Sequence, residues 1–158
     1  MRNAIIQAVF FALLLPSVAL ADFGTSQIIQ AVKRIQPIVA WDSTSIVRGD
    51  FNGDGRRDAA IVGIHQQRVF VGVVLSTSPR KLKTEVLAFG IGTHSTDSIC
   101  ELPVKLTVEP LECLPLDVPL PGCRPSSKAA SLVLLGGECD PINFYWDHQN
   151  NKLTWWRV

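Results

Sequence analysis

Beyond Pro37 the chain reads almost entirely as short β-branched or apolar runs broken by turn residues, a pattern that points to a mainly β fold. Ser45–Arg48, Ala59–Ile64, Arg68–Ser76 and Lys83–Phe89 are four such runs. Val104, Leu106 and Val108 then alternate with Lys105, Thr107 and Glu109, the pattern of a strand with one wet face. Pro110, Pro115, Pro119, Pro121 and Pro125 exclude regular structure from the next stretch. Ala130–Leu135 is a further strand, and Ile142–Asp147 with Lys152–Val158 reads as a hairpin closed by the polar turn His148-Gln149-Asn150-Asn151. One helix precedes all of these, over residues 25–36. Thr25 or Ser26 can cap it, Ile28, Ile29, Val32 and Ile35 share one face, Lys33 and Arg34 occupy the last turn, and Pro37 stops it. The expected fold is a small antiparallel sheet or sandwich preceded by one amphipathic helix that packs against a sheet. No fixed-period repeat is visible, which excludes a multi-blade propeller within this chain.

The first residues read as a leader. Arg2 is followed by an apolar stretch from Ala4 to Leu15, and Pro16 precedes Ala19 and Ala21, the small residues of a cleavage site before Asp22. The apolar run is too short for a comfortable membrane span, so export through a signal peptide at 1–21 is the expectation, with no membrane attachment after cleavage. Residues 22–158 then form one exported domain, periplasmic or secreted. Cleavage takes only Arg2 from the charged set, leaving 14 basic against 14 acidic residues. That balance argues against a nucleic-acid partner, because such binding rests on a basic excess that displaces counterions.

Cys100, Cys113, Cys123 and Cys139 are the four cysteines. In an exported chain an even count implies disulfides, here two bonds with three possible pairings. Cys113–Cys123, closing the proline-rich loop, with Cys100–Cys139 as the second bond, is the pairing favoured here. No CxxC pair or Cys–His spacing supports zinc.

The most informative stretch is Gly49-Asp50-Phe51-Asn52-Gly53-Asp54-Gly55-Arg56-Arg57-Asp58, followed by the apolar run from Ala59. Alternate oxygens at Asp50, Asn52 and Asp54 can face one point when the backbone curls. Gly55 permits the sharp turn, the Arg56 carbonyl follows, and Asp58 closes the shell. Calcium, a hard cation with oxygen ligands, suits that set. The Arg56 side chain is expected to point away from the metal. The twelfth position of the loop is Ile61, in a strand, whereas an EF-hand needs glutamate there and a helix after it. The loop resembles the DxNxDGxxD calcium loop of FG-GAP and VCBS-type repeats, over residues of about 46–76. That resemblance implies a structural calcium held by Asp50, Asn52, Asp54, the Arg56 carbonyl and Asp58, in a unit used for adhesion and extracellular recognition. The family's units come in series and this chain has one, so the propeller does not carry over. Arg48-Gly49-Asp50 also spells an integrin-recognition tripeptide, which we read as coincidence because its aspartate is the first ligand.

His65, His94 and His148 form no catalytic pattern, and GxSxG and HExxH are absent. No enzyme is expected. Tyr145, Trp146, Trp155 and Trp156 crowd the last hairpin and are candidates for a contact surface toward a protein or glycan partner. Period two puts Phe144 and Trp146 on one face and Tyr145 on the other, so part of the set is expected to be core. The expected function is an exported calcium-stabilised binding or structural module. An inhibitor of a secreted enzyme, using the loop Leu114–Pro121, is the alternative, and an extracellular hydrolase a third.

Overall fold

A computed structural model describes residues 23–78, 81–92 and 96–158. The expected leader and His94 lie outside the described residues. Helix α1 (Thr25–Ile35) comes first, followed by ten strands: β1 (Ala40–Trp41), β2 (Val47–Gly49), β3 (Asp58–His65), β4 (Arg68–Ser78), β5 (Lys81–Ile91), β6 (Ser98–Ile99), β7 (Val104–Pro110), β8 (Ala130–Gly136), β9 (Ile142–Asp147) and β10 (Lys152–Trp156). They form two sheets. One runs β1-β3-β4-β5-β6 with β2 also paired to β3, and the other runs β10-β9-β8-β7. Every pairing is antiparallel except β5 with β6, which run parallel at Gly90–Ser98 and Ile91–Ile99. The mainly β sandwich with one preceding helix is thus the observed architecture.

The sheets face each other over one apolar core. Ala60 and Val62 of β3, Val69, Val71, Val73 and Leu75 of β4, and Phe89 of β5 meet Leu132, Leu134, Ile142, Phe144, Trp146 and Leu153 from the second sheet. Phe89 packs edge-on against Phe144 and Trp155, with ring centroids 5.5 and 5.7 Å apart. The alternate residues of the same strands face outward and are also buried. Ala59, Ile61 and Val74 pack under α1, against Phe23, Ile28, Ala31 and Val32. This explains the near-continuous apolar runs of β3 and β4, which belong to a sheet covered on both faces. Gly24, rather than Thr25 or Ser26, stands at the helix N-cap, and the Gln27 side chain accepts from its N–H at 2.9 Å.

The free edge of β10 is closed from the other sheet. Leu153 N donates to Glu85 Oε2 at 2.7 Å, Lys83 Nζ donates to Asn151 O at 2.8 Å, and Arg157 Nη1 donates to Ser98 O at 2.7 Å. These contacts cover part of the edge and its two ends, one way in which a sheet edge is protected from a stray strand. Two disulfides are formed, Cys100–Cys139 and Cys113–Cys123. Such bonds fit an oxidising environment. No helix among the described residues is long and apolar enough to cross a membrane.

The helix lies close because Gly72 has no side chain. A Cβ there would stand 2.6 Å from Val32 Cγ1 and 3.1 Å from the Trp41 ring. Gly72→Ala is therefore expected to lower stability by about 1–3 kcal/mol through overpacking, read as a lower denaturant midpoint at unchanged slope.

Candidate functional site

Strand β2 ends at Gly49, which pairs with Asp58 at the start of β3, so residues 50–57 are the connection of a β-hairpin. Positive φ at Gly53 (71°) and Gly55 (81°) lets this connection curl tightly, a conformation that costs side-chain-bearing residues more. The curl turns the polar side chains inward. Asp50 Oδ1 and Asn52 Oδ1 both accept from Asp54 N at 3.1 Å, and Asp50 Oδ2 accepts from Gly55 N at 2.8 Å. Asp54 Oδ1 accepts from Arg56 N at 2.9 Å. The side chains of Asp50, Asn52 and Asp54 thus share one short segment of backbone, and the spacing read from the sequence does bring them together.

Asp58 differs from the other three. It has 0% exposure, and its two oxygens reach opposite ways, Oδ2 accepting from Phe51 N at 2.9 Å and Oδ1 from Ser76 N at 2.8 Å. The carboxylate therefore fastens the loop to β4. Burial pushes its pKa up to about 6, against the pull of these two hydrogen bonds, and the negative charges of Asp54 and Asp50 add to the rise.

Three features of the loop were not visible in its motif. Phe51 is buried in the main core and anchors the loop from inside, a role its apolar character among polar neighbours could have signalled. Gly49 accommodates that anchor, since a Cβ there would stand 2.7 Å from the Phe51 ring. Ser76 and Thr77, distant in sequence, supply an N–H and a carbonyl. The Arg56 guanidinium, expected to point away, instead stays on the loop. Its Nη1 donates to Thr77 O at 2.7 Å and lies 3.5 Å from Asp54 Oδ2. Arg48 Nη2 donates to Phe23 O at 2.8 Å and its guanidinium covers the Phe23 ring, so this residue of the Arg48-Gly49-Asp50 tripeptide ties down the entry to the helix.

The donor set is all oxygen and carries three carboxylates, which fits a hard divalent cation. In the arrangement seen, however, no three His, Cys, Asp or Glu side chains among the described residues are gathered around one point that could hold a metal ion. The carboxylates are satisfied by backbone N–H groups and by Arg56.

The loop sits at one end of the sandwich beside two others. Ala130 N donates to Asp50 O at 2.8 Å, and a Cβ on Gly53 would stand 3.9 Å from His148 Cε1. The β9–β10 turn is organised by Asp147, whose Oδ1 accepts from Gln149 N (2.9 Å) and Asn150 N (3.1 Å) and whose Oδ2 accepts from Asn150 Nδ2 (2.6 Å). That turn holds the disulfide-closed loop, with His148 N donating to Gly122 O at 2.9 Å and Tyr145 Oη to Pro121 O at 3.1 Å.

Burial places most of the aromatic candidates for a contact surface in packing, the account favoured for most of them. Trp146 lies in the main core and Trp155 packs against it. Tyr145 is buried on the outer face, under the proline-rich loop. Trp155 and Trp156 are both half-buried, and Trp156 lies at the surface beside Glu109, Glu112, Ser131 and Asn143. His65 ends β3 and His148 lies in the last turn, and among the described residues neither belongs to a group of His, Cys, Asp or Glu side chains that could hold a metal ion. Burial lowers the pKa of His148, and the charge of Arg124 adds to it.

Compared with known protein families, with curated proteins and with solved structures, the chain matches none. The resemblance of residues 46–76 to an FG-GAP or VCBS-type unit rests on the loop residues themselves.

Two measurements separate the roles of these carboxylates. In chelator, Asp58→Asn is expected to lower stability by about 1–3 kcal/mol, because the amide nitrogen strands a buried N–H donor. Asp54→Ala, at an exposed site, is expected to change it by less than about 0.5 kcal/mol under the same conditions; urea titration of both variants checks the contrast. The Asp147 carboxyl is held below its ordinary value, first by the Asn150 side chain and then by the Asn150 N–H. A depressed folded pKa gives stability that is present above the unfolded value, about 4, and lost as pH falls through the folded value. The melting temperature should fall in that acid window, and Asn150→Ala should flatten the fall.

Proposed function

We propose that the chain is an exported binding or structural module of the cell envelope or extracellular space, stabilised by one calcium ion and directed to a protein or glycan partner. The observation that carries this reading is the 50–58 loop, where a buried carboxylate stands near two others on a tightly curled turn. Asp50, Asn52, Asp54, the Arg56 carbonyl and Asp58 would hold the ion. Bound there, calcium supplies positive charge that offsets the mutual repulsion of the carboxylates. The chain's own contribution is to curl the turn at Gly53 and Gly55 and to anchor it through Phe51.

Export is supported by the leader-like first 21 residues and by two disulfides, which belong to oxidising compartments. The inhibitor reading would use the disulfide-closed loop around Leu116. That loop turns through left-handed backbone at Leu116 and Asp117 (φ 52° and 61°), unlike the extended conformation in which peptides add to a binding cleft as a strand. We therefore rank it second.

A thermal melt of residues 22–158 with calcium and with chelator tests the proposal. A ligand bound only by the native state adds about 2.7 kcal/mol at a hundredfold excess over Kd, and an extracellular module of this kind has Kd of about 10⁻⁴ to 10⁻³ M. Calcium is expected to raise the midpoint of the wild type and to leave Asp54→Ala unmoved. A midpoint indifferent to calcium removes the metal from the reading.

A further inference from the structure

The loop closed by Cys113–Cys123 has a construction that its own fold does not use. Leu114, Leu116 and Val118 are 57%, 73% and 63% exposed, and Leu116 is the most exposed large apolar side chain among the described residues. Three large apolar groups on five residues in water are an unfavourable surface unless something covers them. Their backbone is nevertheless tightly specified. Asp117 N donates to Leu114 O at 3.3 Å, Val118 N to Pro115 O at 3.0 Å, and Leu120 N to Cys113 O at 2.9 Å. Leu116 and Asp117 are consecutive left-handed residues, a conformation costing each about 1–2 kcal/mol. An apolar knob fixed in this way has lost its conformational entropy before any contact forms.

A complementary surface exists on the same chain. Between α1 and β5 runs a groove of about 370 Å³, with Ala31, Ile35 and Leu82 along it and Gln30 and Arg34 at its side. Ile35 is half exposed there, and Arg34 has no ion pair among the described residues. The knob offers a leucine followed by an aspartate, and the groove offers Ala31, Ile35 and Leu82 beside an arginine, with Gln27, Gln30 and Thr84 completing its lining. Between Cys113 and Cys123 the only charged residue is Asp117, so the knob presents a single negative charge.

We propose that Leu116 and Asp117 of one molecule dock in the α1–β5 groove of a second copy, the leucine against Ala31, Ile35 and Leu82 and the aspartate against Arg34. The contact is small, so the association is weak and transient. It goes beyond the calcium reading and does not rest on it, since neither surface includes a loop ligand.

Sedimentation velocity of residues 22–158, in one buffer from micromolar to millimolar protein, tests this. Reversible self-association is expected, weakened at least tenfold by Leu116→Asp and separately by Arg34→Glu. The charge-swapped pair Asp117→Arg with Arg34→Glu is expected to restore it to within about threefold. Leu116 and Arg34 lie at the surface, and unchanged melting temperatures confirm that the variants fold. A chain that stays monomeric throughout overturns the proposal. So do association unaffected by either variant, failure of the swapped pair, and co-sedimentation of the wild type with phosphatidylglycerol vesicles in place of self-association.

Discussion

The β3–β4 hairpin is buried on both faces, and the remaining elements are arranged around that requirement. One face needs a second sheet and the other needs a helix, because neither can be left to water at roughly 25 cal/mol per Å² of apolar surface. Small residues make the double coverage possible. Ala59 at the start of β3, with Gly72 opposite Ile61, lets the helix and Trp41 come down onto the sheet, while Ala60 faces the second sheet. The amphipathic helix is thus a cover for strands that would otherwise expose Ile61 and Val74.

Charge is handled by position along the same strands. At the start of β3 the buried Asp58 spends both oxygens on backbone donors from two different segments, and the curled turn ahead of it carries two more carboxylates. Folding thus sets one buried carboxylate beside a more exposed turn that carries two others, with backbone N–H groups and Arg56 as their partners. The cation proposed for this loop would add positive charge beside these carboxylates, so it is proposed as part of the structure and not as a reagent.

The helix and the longer strands were legible because their periodicity is local: 3.6 for Ile28, Val32 and Ile35, two for Val104, Leu106 and Val108. Strands β1 and β6 were not, since two residues each carry no pattern and exist only through pairing with distant backbone. The parallel pairing of β6 has no local signal either. In the loop, the spacing of Asp50, Asn52 and Asp54 was readable, while the contributions of Ser76 and Thr77 depend on how β4 returns past it. The aromatic hairpin shows the same limit. Period two separated Phe144 and Trp146 from Tyr145, but that the face bearing Tyr145 is roofed by the proline-rich loop follows only from the tertiary bond to Pro121.

The Cys100–Cys139 bond lies at the far end of the sandwich from the 50–58 loop. It joins the residue after β6, in one sheet, to the segment after β8, in the other. The two sheets are therefore riveted covalently at one rim and held by noncovalent contacts at the rim where the polar turns cluster. A covalent tie on one rim makes opening there cost more than at the other, so amide exchange and proteolysis are expected to begin at the turn-bearing rim.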